Sequence, residues 1–82
     1  MTNLKALRLE IGLTQSQLSE KTGLNIRTLQ YYEQGVNKID NARLDTILKL
    51  CIALQCEIDE LIEDKNLVSL YTKYIKIRDN LL

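Results

Sequence analysis

No histidine, proline, tryptophan or phenylalanine occurs in the 82 residues. Without histidine the chain lacks the side chain that most often serves as general base or metal ligand, so most hydrolytic mechanisms and most zinc sites lose an essential part. No sign of charge is in excess: eleven Lys and Arg balance eleven Asp and Glu, and nonspecific attraction to a polyanion is expected to be weak. No run approaches the ~20 apolar residues of a membrane span, and the charged opening MTNLKALRLE does not read as a signal peptide. A soluble, cytoplasmic protein without a membrane partner is expected. The two cysteines, Cys51 and Cys56, read as sitting on one continuous apolar helix that points them to different faces, hence as reduced thiols. Hydrophobic residues make up 45% of the chain, a folding composition, and the length fits one small domain plus an accessory element. Binding becomes the leading class of function.

With few breakers, punctuation falls to helix caps and to Gly12, Gly23 and Gly35. Leu4, Leu7 and Ile11 recur at helical spacing and predict a first helix over about residues 2–11, stopped at Gly12. Thr14 and Gln17 form a capping-box pair, with Leu13 placed to staple onto Leu18, so a second helix starts at Gln15 and ends at Gly23. Asn25 is a good N-cap for a third helix that turns Leu29 and Tyr32 inward and stops at Gly35. After a polar loop, with Asp40 or Asn41 as cap and Ile39 tucked inward, Ala42–Leu54 puts Leu44, Ile47, Leu48, Cys51 and Leu54 on one stripe. A short fifth helix follows at Glu57–Ile62. From Lys65 onward, Leu67, Leu70, Tyr71, Tyr74, Arg78 and Leu81 recur at helical spacings, with Val68, Ile75 and Ile77 widening the apolar face of a sixth helix.

Two short helices joined by a glycine-containing turn form the arrangement that lets the second enter a major groove. The segment TQSQLSEKTGLNIRTLQYYEQG resembles the helix-turn-helix of the phage repressor and Cro-like (Xre-type) family: Thr-Gln, then Leu, Gly, an aliphatic residue and a terminal Glu-x-Gly. The likeness continues through LDTILKLCIALQCEIDELIE and covers about residues 2–62. It implies an all-α fold, a five-helix helix-turn-helix domain over residues 1–63 with an additional C-terminal helix over 64–82. It further implies a DNA-binding regulator with double-stranded DNA as partner, no catalytic activity and no cofactor.

The same likeness, joined to helical geometry, assigns candidate residues. Ile26, Arg27, Gln30 and Tyr31 turn outward from the third helix as base-contacting residues. Arg27 suits guanine O6 and N7, Gln30 suits adenine, Ile26 a thymine methyl, and Tyr31 a base or phosphate, with packing beside Tyr32 as its alternative. Ile26 departs from the polar residue frequent at its position in the family and allows apolar readout alone. Gln15, at a helix N-terminus that attracts phosphate, joins Asn25, Thr28, Lys38 and Arg43 as phosphate contacts. The resemblance implies a structural ion pair between Arg8 and Glu33.

Charge distribution partly answers the neutral balance. Residues 1–45 hold six basic residues against five acidic ones, whereas residues 46–63 hold Lys49 against Glu57, Asp59, Glu60 and Glu63. A neutral regulator would gain most from dimerisation. The apolar C-terminal helix, through Leu67, Leu70, Tyr71, Tyr74, Ile75 and Leu81, packs either on its own domain or on a second copy, giving a homodimer, a small repressor and an inverted-repeat operator. The alternative is a protein-interaction module, an antitoxin or adaptor that uses this helix and the acidic fifth helix for a protein partner. The carboxylates of the fifth helix are the only feature that points to an enzyme, and such a run is more often solvated.

Overall fold

The computed structural model describes residues 1–81, and among these every regular element is helical. The order is α1 (Asn3–Glu10), α2 (Gln15–Thr22), α3 (Ile26–Gln34), a 3₁₀ turn (Ile39–Asn41), α4 (Leu44–Leu54), α5 (Ile58–Leu61) and α6 (Lys65–Leu81). Local chemistry sets the first three helices. Thr2 Oγ1 accepts the Lys5 N–H at the start of α1. At α2, Thr14 Oγ1 accepts the Gln17 N–H at 3.1 Å while Gln17 Oε1 accepts the Thr14 N–H at 2.9 Å, a reciprocal capping box. Asn25 Oδ1 accepts the Arg27 N–H at 2.8 Å and starts α3. Gly23 and Gly35 close α2 and α3 in the left-handed region, at φ 74° and 77°, where a Cβ would crowd the following carbonyl.

Each of α1 to α5 contributes one leucine to the centre: Leu4, Leu18, Leu29, Leu50 and Leu61 are all essentially without solvent contact. Ile39, Ile47, Cys51 and Leu54 complete the buried cluster, and Leu7, Leu13, Tyr32 and Ile58 close over it. Burying a leucine side chain contributes about 1.5–3 kcal/mol, so these five supply much of the force that gathers the helices. Past the core, Glu63 stitches three segments together. Its Oε1 accepts the Asn3 N–H at 2.6 Å, its own N–H donates to Asp40 Oδ1 at 2.7 Å, and Asn3 Nδ2 donates to the Ile62 carbonyl at 3.0 Å. α6 leaves from this clamp, packs on α5 and has no buried residue.

α4 begins at Leu44, after Arg43, and has no side-chain cap: Asp40 is occupied by the distant Glu63 N–H instead. Its inward stripe is Ile47, Leu50, Cys51 and Leu54, whereas Leu44 and Leu48, expected inside, are exposed. Ile11 lies beyond α1 and is exposed as well. The apolar run through the cysteines is not one helix. It stops at Leu54, Gln55 takes a left-handed φ of 55°, and the chain folds back so that the Cys56 N–H donates to the Cys51 carbonyl at 3.1 Å. The two cysteines therefore lie together, both free. Burial, reinforced by Cys51, pushes the Cys56 thiol up to about 12, and burial also raises Cys51, so neither is an activated thiolate.

Gln55 is the one residue other than glycine at positive φ among the described residues, and the left-handed region costs an L-residue roughly 1–2 kcal/mol. Gln55→Gly is expected to stabilise the domain by about 0.5–1 kcal/mol after the extra chain entropy of glycine is offset. The urea midpoint should rise with an unchanged slope; a lower midpoint would show that the Gln55 side chain contributes more than its backbone strain costs.

Candidate nucleic-acid interface

The outward face of α3 is set by what lies behind it. Leu29 is sunk in the core and Tyr32 half-buried against it, so helical geometry turns Ile26, Arg27 and Tyr31 to solvent, where all three are exposed. Gln30 and Thr28 are half-buried at the edges of this face, and Asn25 is exposed at its head. Asn25 spends its side-chain carbonyl on the cap, which leaves its amide NH₂ to donate outward.

Behind the face is a buried ion pair. Arg8 Nε and Nη2 donate to the two carboxylate oxygens of Glu33 at 2.6 and 2.9 Å, and Arg8 Nη1 donates to the Leu13 carbonyl at 2.8 Å. This joins α1, the turn before α2, and the last part of α3. The fork-on-fork geometry fixes both separation and roll. Burial pushes the Glu33 carboxyl up, yet hydrogen bonds from Arg8 and Gln15 outweigh it and hold the group below its ordinary value. The hydrogen bonds that Arg8 donates to Glu33 raise the guanidinium against the opposite pull of burial.

The bond network runs on to the exposed face. Gln15 Nε2 donates to Glu33 Oε1 at 3.2 Å, and Gln30 Nε2 donates to Gln15 Oε1 at 3.4 Å. Gln15 thus bridges the ion pair and Gln30, a role the sequence reading missed when it assigned Gln15 only to phosphate. Nothing in the motif announces this bond; the signal was the pair of amides placed on the two helices that the turn brings together. At the open end of α2 the Gln15 and Ser16 N–H groups precede the capped Gln17, so the helix start still presents donors beside this amide. Lys38 and Arg43 are exposed, Arg43 with its guanidinium 3.2 Å from Asp45. The structure thus brings Gln15, Gln30 and the α3 face together, while Lys38 and Arg43 stand on the following loop.

Exposed donors and one aliphatic side chain lie on a short helix, and none of Ile26, Arg27, Gln30 or Tyr31 lines the cavity of about 510 Å³ bounded by Thr2, Tyr32, Lys38, Asp40 and Glu63. Among the described residues no group of His, Cys, Asp or Glu could hold a metal ion, and no helix is long and apolar enough to cross a membrane.

Replacing one partner of the buried pair leaves the other charge unmatched. Arg8→Met is expected to cost about 3–5 kcal/mol, and Arg8→Met with Glu33→Leu to recover most of it, as measured by urea unfolding. Because the folded Glu33 value lies below the unfolded one, its contribution is present above the unfolded carboxylate range and disappears as pH falls through the folded value. Wild-type stability should drop along that limb, and in the double variant the drop should be shallower; equal slopes would remove Glu33 from the acid response.

A family profile described as helix-turn-helix matches residues 4–61. No curated protein and no solved structure matches the chain. The matched span runs from Leu4 in α1 to the end of α5 and includes the cap-turn-cap unit of α2 and α3 and the Arg8–Glu33 pair. The chain belongs to the Cro/C1-type, Xre-like helix-turn-helix family of DNA-binding regulatory domains.

Proposed function

We propose that this protein is a sequence-specific transcriptional regulator, a small dimeric repressor of the cytoplasm that reads an inverted-repeat operator through the major groove. The observation that carries the reading is the exposed Ile26, Arg27 and Tyr31 face of α3, held from behind by the buried Arg8–Glu33 pair. In this role Arg27 donates two bonds to guanine, Gln30 pairs with adenine in the orientation Gln15 gives it, and Ile26 meets a thymine methyl. Tyr31 reaches a base or phosphate through its hydroxyl. Gln15 and the N–H groups of the α2 start, with Asn25, Thr28, Lys38 and Arg43, hold the backbone and fix the register.

The segment 64–82 serves as the dimerisation element through its apolar residues, among them Leu67, Leu70, Tyr71, Tyr74, Ile75 and Leu81. A twofold pair would set two α3 helices about one turn of DNA, roughly 34 Å, apart. With a formal net charge of zero, binding draws little on counterion release, and linking two reading heads supplies the affinity that one cannot.

Selection from random duplexes with the purified protein should enrich an inverted repeat. No enrichment would favour instead a module that binds another protein through α6 and the acidic α5. Arg27→Ala is expected to lose about 1–3 kcal/mol of specific binding and to relax the preference at one guanine in each half-site. Unchanged affinity and preference in that variant would reject its assigned contact.

A further inference from the structure

α6 carries two apolar stripes. Val68, Tyr71 and Ile75 are half-buried, and the Tyr71 hydroxyl reaches back to its own domain, 3.5 Å from Glu57 Oε2. The second stripe is Leu67, Leu70, Tyr74, Ile77 and Leu81, all exposed, from 36% at Leu67 to 81% at Leu81. Its members follow one another at spacings of three, four, three and four. That is the repeat of a seam between two helices wound on each other, and a helix lying on a globular core shows a broader stripe. Such a seam complements itself, and every copy of the chain carries one.

We propose that this outer stripe pairs with the same stripe of a second copy, the two α6 helices running antiparallel. The inference rests on the dimeric reading above and adds its contact surface and orientation. Charge decides the orientation. With Leu67, Tyr74 and Leu81 as a positions and Leu70 and Ile77 as d positions, the flanking residues are Tyr71 and Arg78 on one side and Lys73 and Asn80 on the other. Residues 65–81 hold Lys65, Lys73, Lys76 and Arg78 against the single acid Asp79.

Parallel pairing sets Lys73 against Arg78 of the second copy, two like charges at the position where paired helices place their interhelical salt bridges, with the exposed Asp79, 3.2 Å from the Arg78 guanidinium, only partly offsetting the repulsion. Antiparallel pairing that layers Leu70 on Leu81 and Tyr74 on Ile77 of the second copy removes this clash. Lys73 then meets Asn80, and Arg78 meets the Tyr71 ring of the other chain, a cation on an aromatic face. Tyr71 sits at the acidic edge of its domain, where burial together with the charges of Glu57 and Asp59 pushes its phenol up. The basic distal half of each α6 thereby lands on the acidic edge of its partner, and the two halves of the contact are identical by the twofold symmetry.

Sedimentation velocity of the full chain at micromolar concentration should give twice the 9.5 kDa chain mass. Ile77→Glu, at an exposed position, is expected to give the single-chain mass with the helical signal of α1 to α5 retained. Leu48→Glu, on the exposed flank of α4, should keep the two-chain mass. A single-chain mass for the unaltered protein, or a two-chain mass for Ile77→Glu, would overturn the seam. Orientation is read by mixing Leu70→Cys and Leu81→Cys chains under a thiol oxidant and identifying the joined peptides by mass. A 70-to-81 link is expected, and a 70-to-70 link would overturn the antiparallel arrangement. These measurements contain no DNA, so their failure leaves the reading through Arg27 standing. A failure of that reading shows instead as a dimer that enriches no duplex.

Discussion

The orientation of α3 depends on a pair of charges that the protein keeps almost out of water. Arg8 reaches Glu33 with two parallel hydrogen bonds and the Leu13 carbonyl with a third, so one guanidinium ties α1 to two other places in the chain. Leucines from five helices could gather in more than one roll angle with similar burial, because apolar contact is nondirectional. A bidentate pair is directional. It chooses the roll of α3 against α1 and so decides which of its side chains face solvent. The Gln15–Gln30 bond extends that choice to the edge of the exposed face, where preorganised donors lose less conformational freedom on meeting a ligand.

What the sequence made legible was local chemistry and what it hid was long-range competition. The caps of α2 and α3 need only residues within three positions of one another, and Thr14, Gln17, Asn25, Gly23 and Gly35 were readable without knowing the fold. α4 was harder. From Leu50 to Leu54 every residue is apolar, so periodicity alone could not choose between a stripe through Leu44 and Leu48 and one through Leu50; packing chose the latter. Asp40 had the right chemistry for a helix cap, but the Glu63 N–H from a distant segment took its carboxylate. The two cysteines could not be placed on separate elements by pattern, because the apolar run from Leu50 to Leu54 is followed by no glycine or proline stop, and Gln55 itself takes the left-handed φ of 55° that ends the helix.

Of the α3 face, Ile26, Arg27 and Tyr31 followed from the inward pull of Leu29 and Tyr32, since one core side of a helix dictates the other side. Gln15 was legible only in part. Its place at a helix start was visible, but its bond to Glu33 required the distance between two helices that no local pattern gives. The acidic α5 packs on α1, α4 and α6, so most of the negative charge of residues 46–63 sits on elements other than α3. Net neutrality is in this way compatible with a face whose exposed charge is Arg27.

α6 is bound to the domain at its start and bare toward its end. A helix of its length gains too little from its own hydrogen bonds to be firmly formed in water, and most helices are held by burying an apolar face. Val68, Tyr71 and Ile75 bury only partly, and the distal turns present Tyr74, Ile77 and Leu81 to solvent. Covering that surface with an identical helix would stabilise the distal turns and the association by the same contacts, so helix formation and self-association would be linked. For the dimeric regulator proposed above, with no net charge to hold it on DNA, the concentration at which copies pair would become the concentration at which two α3 helices act together.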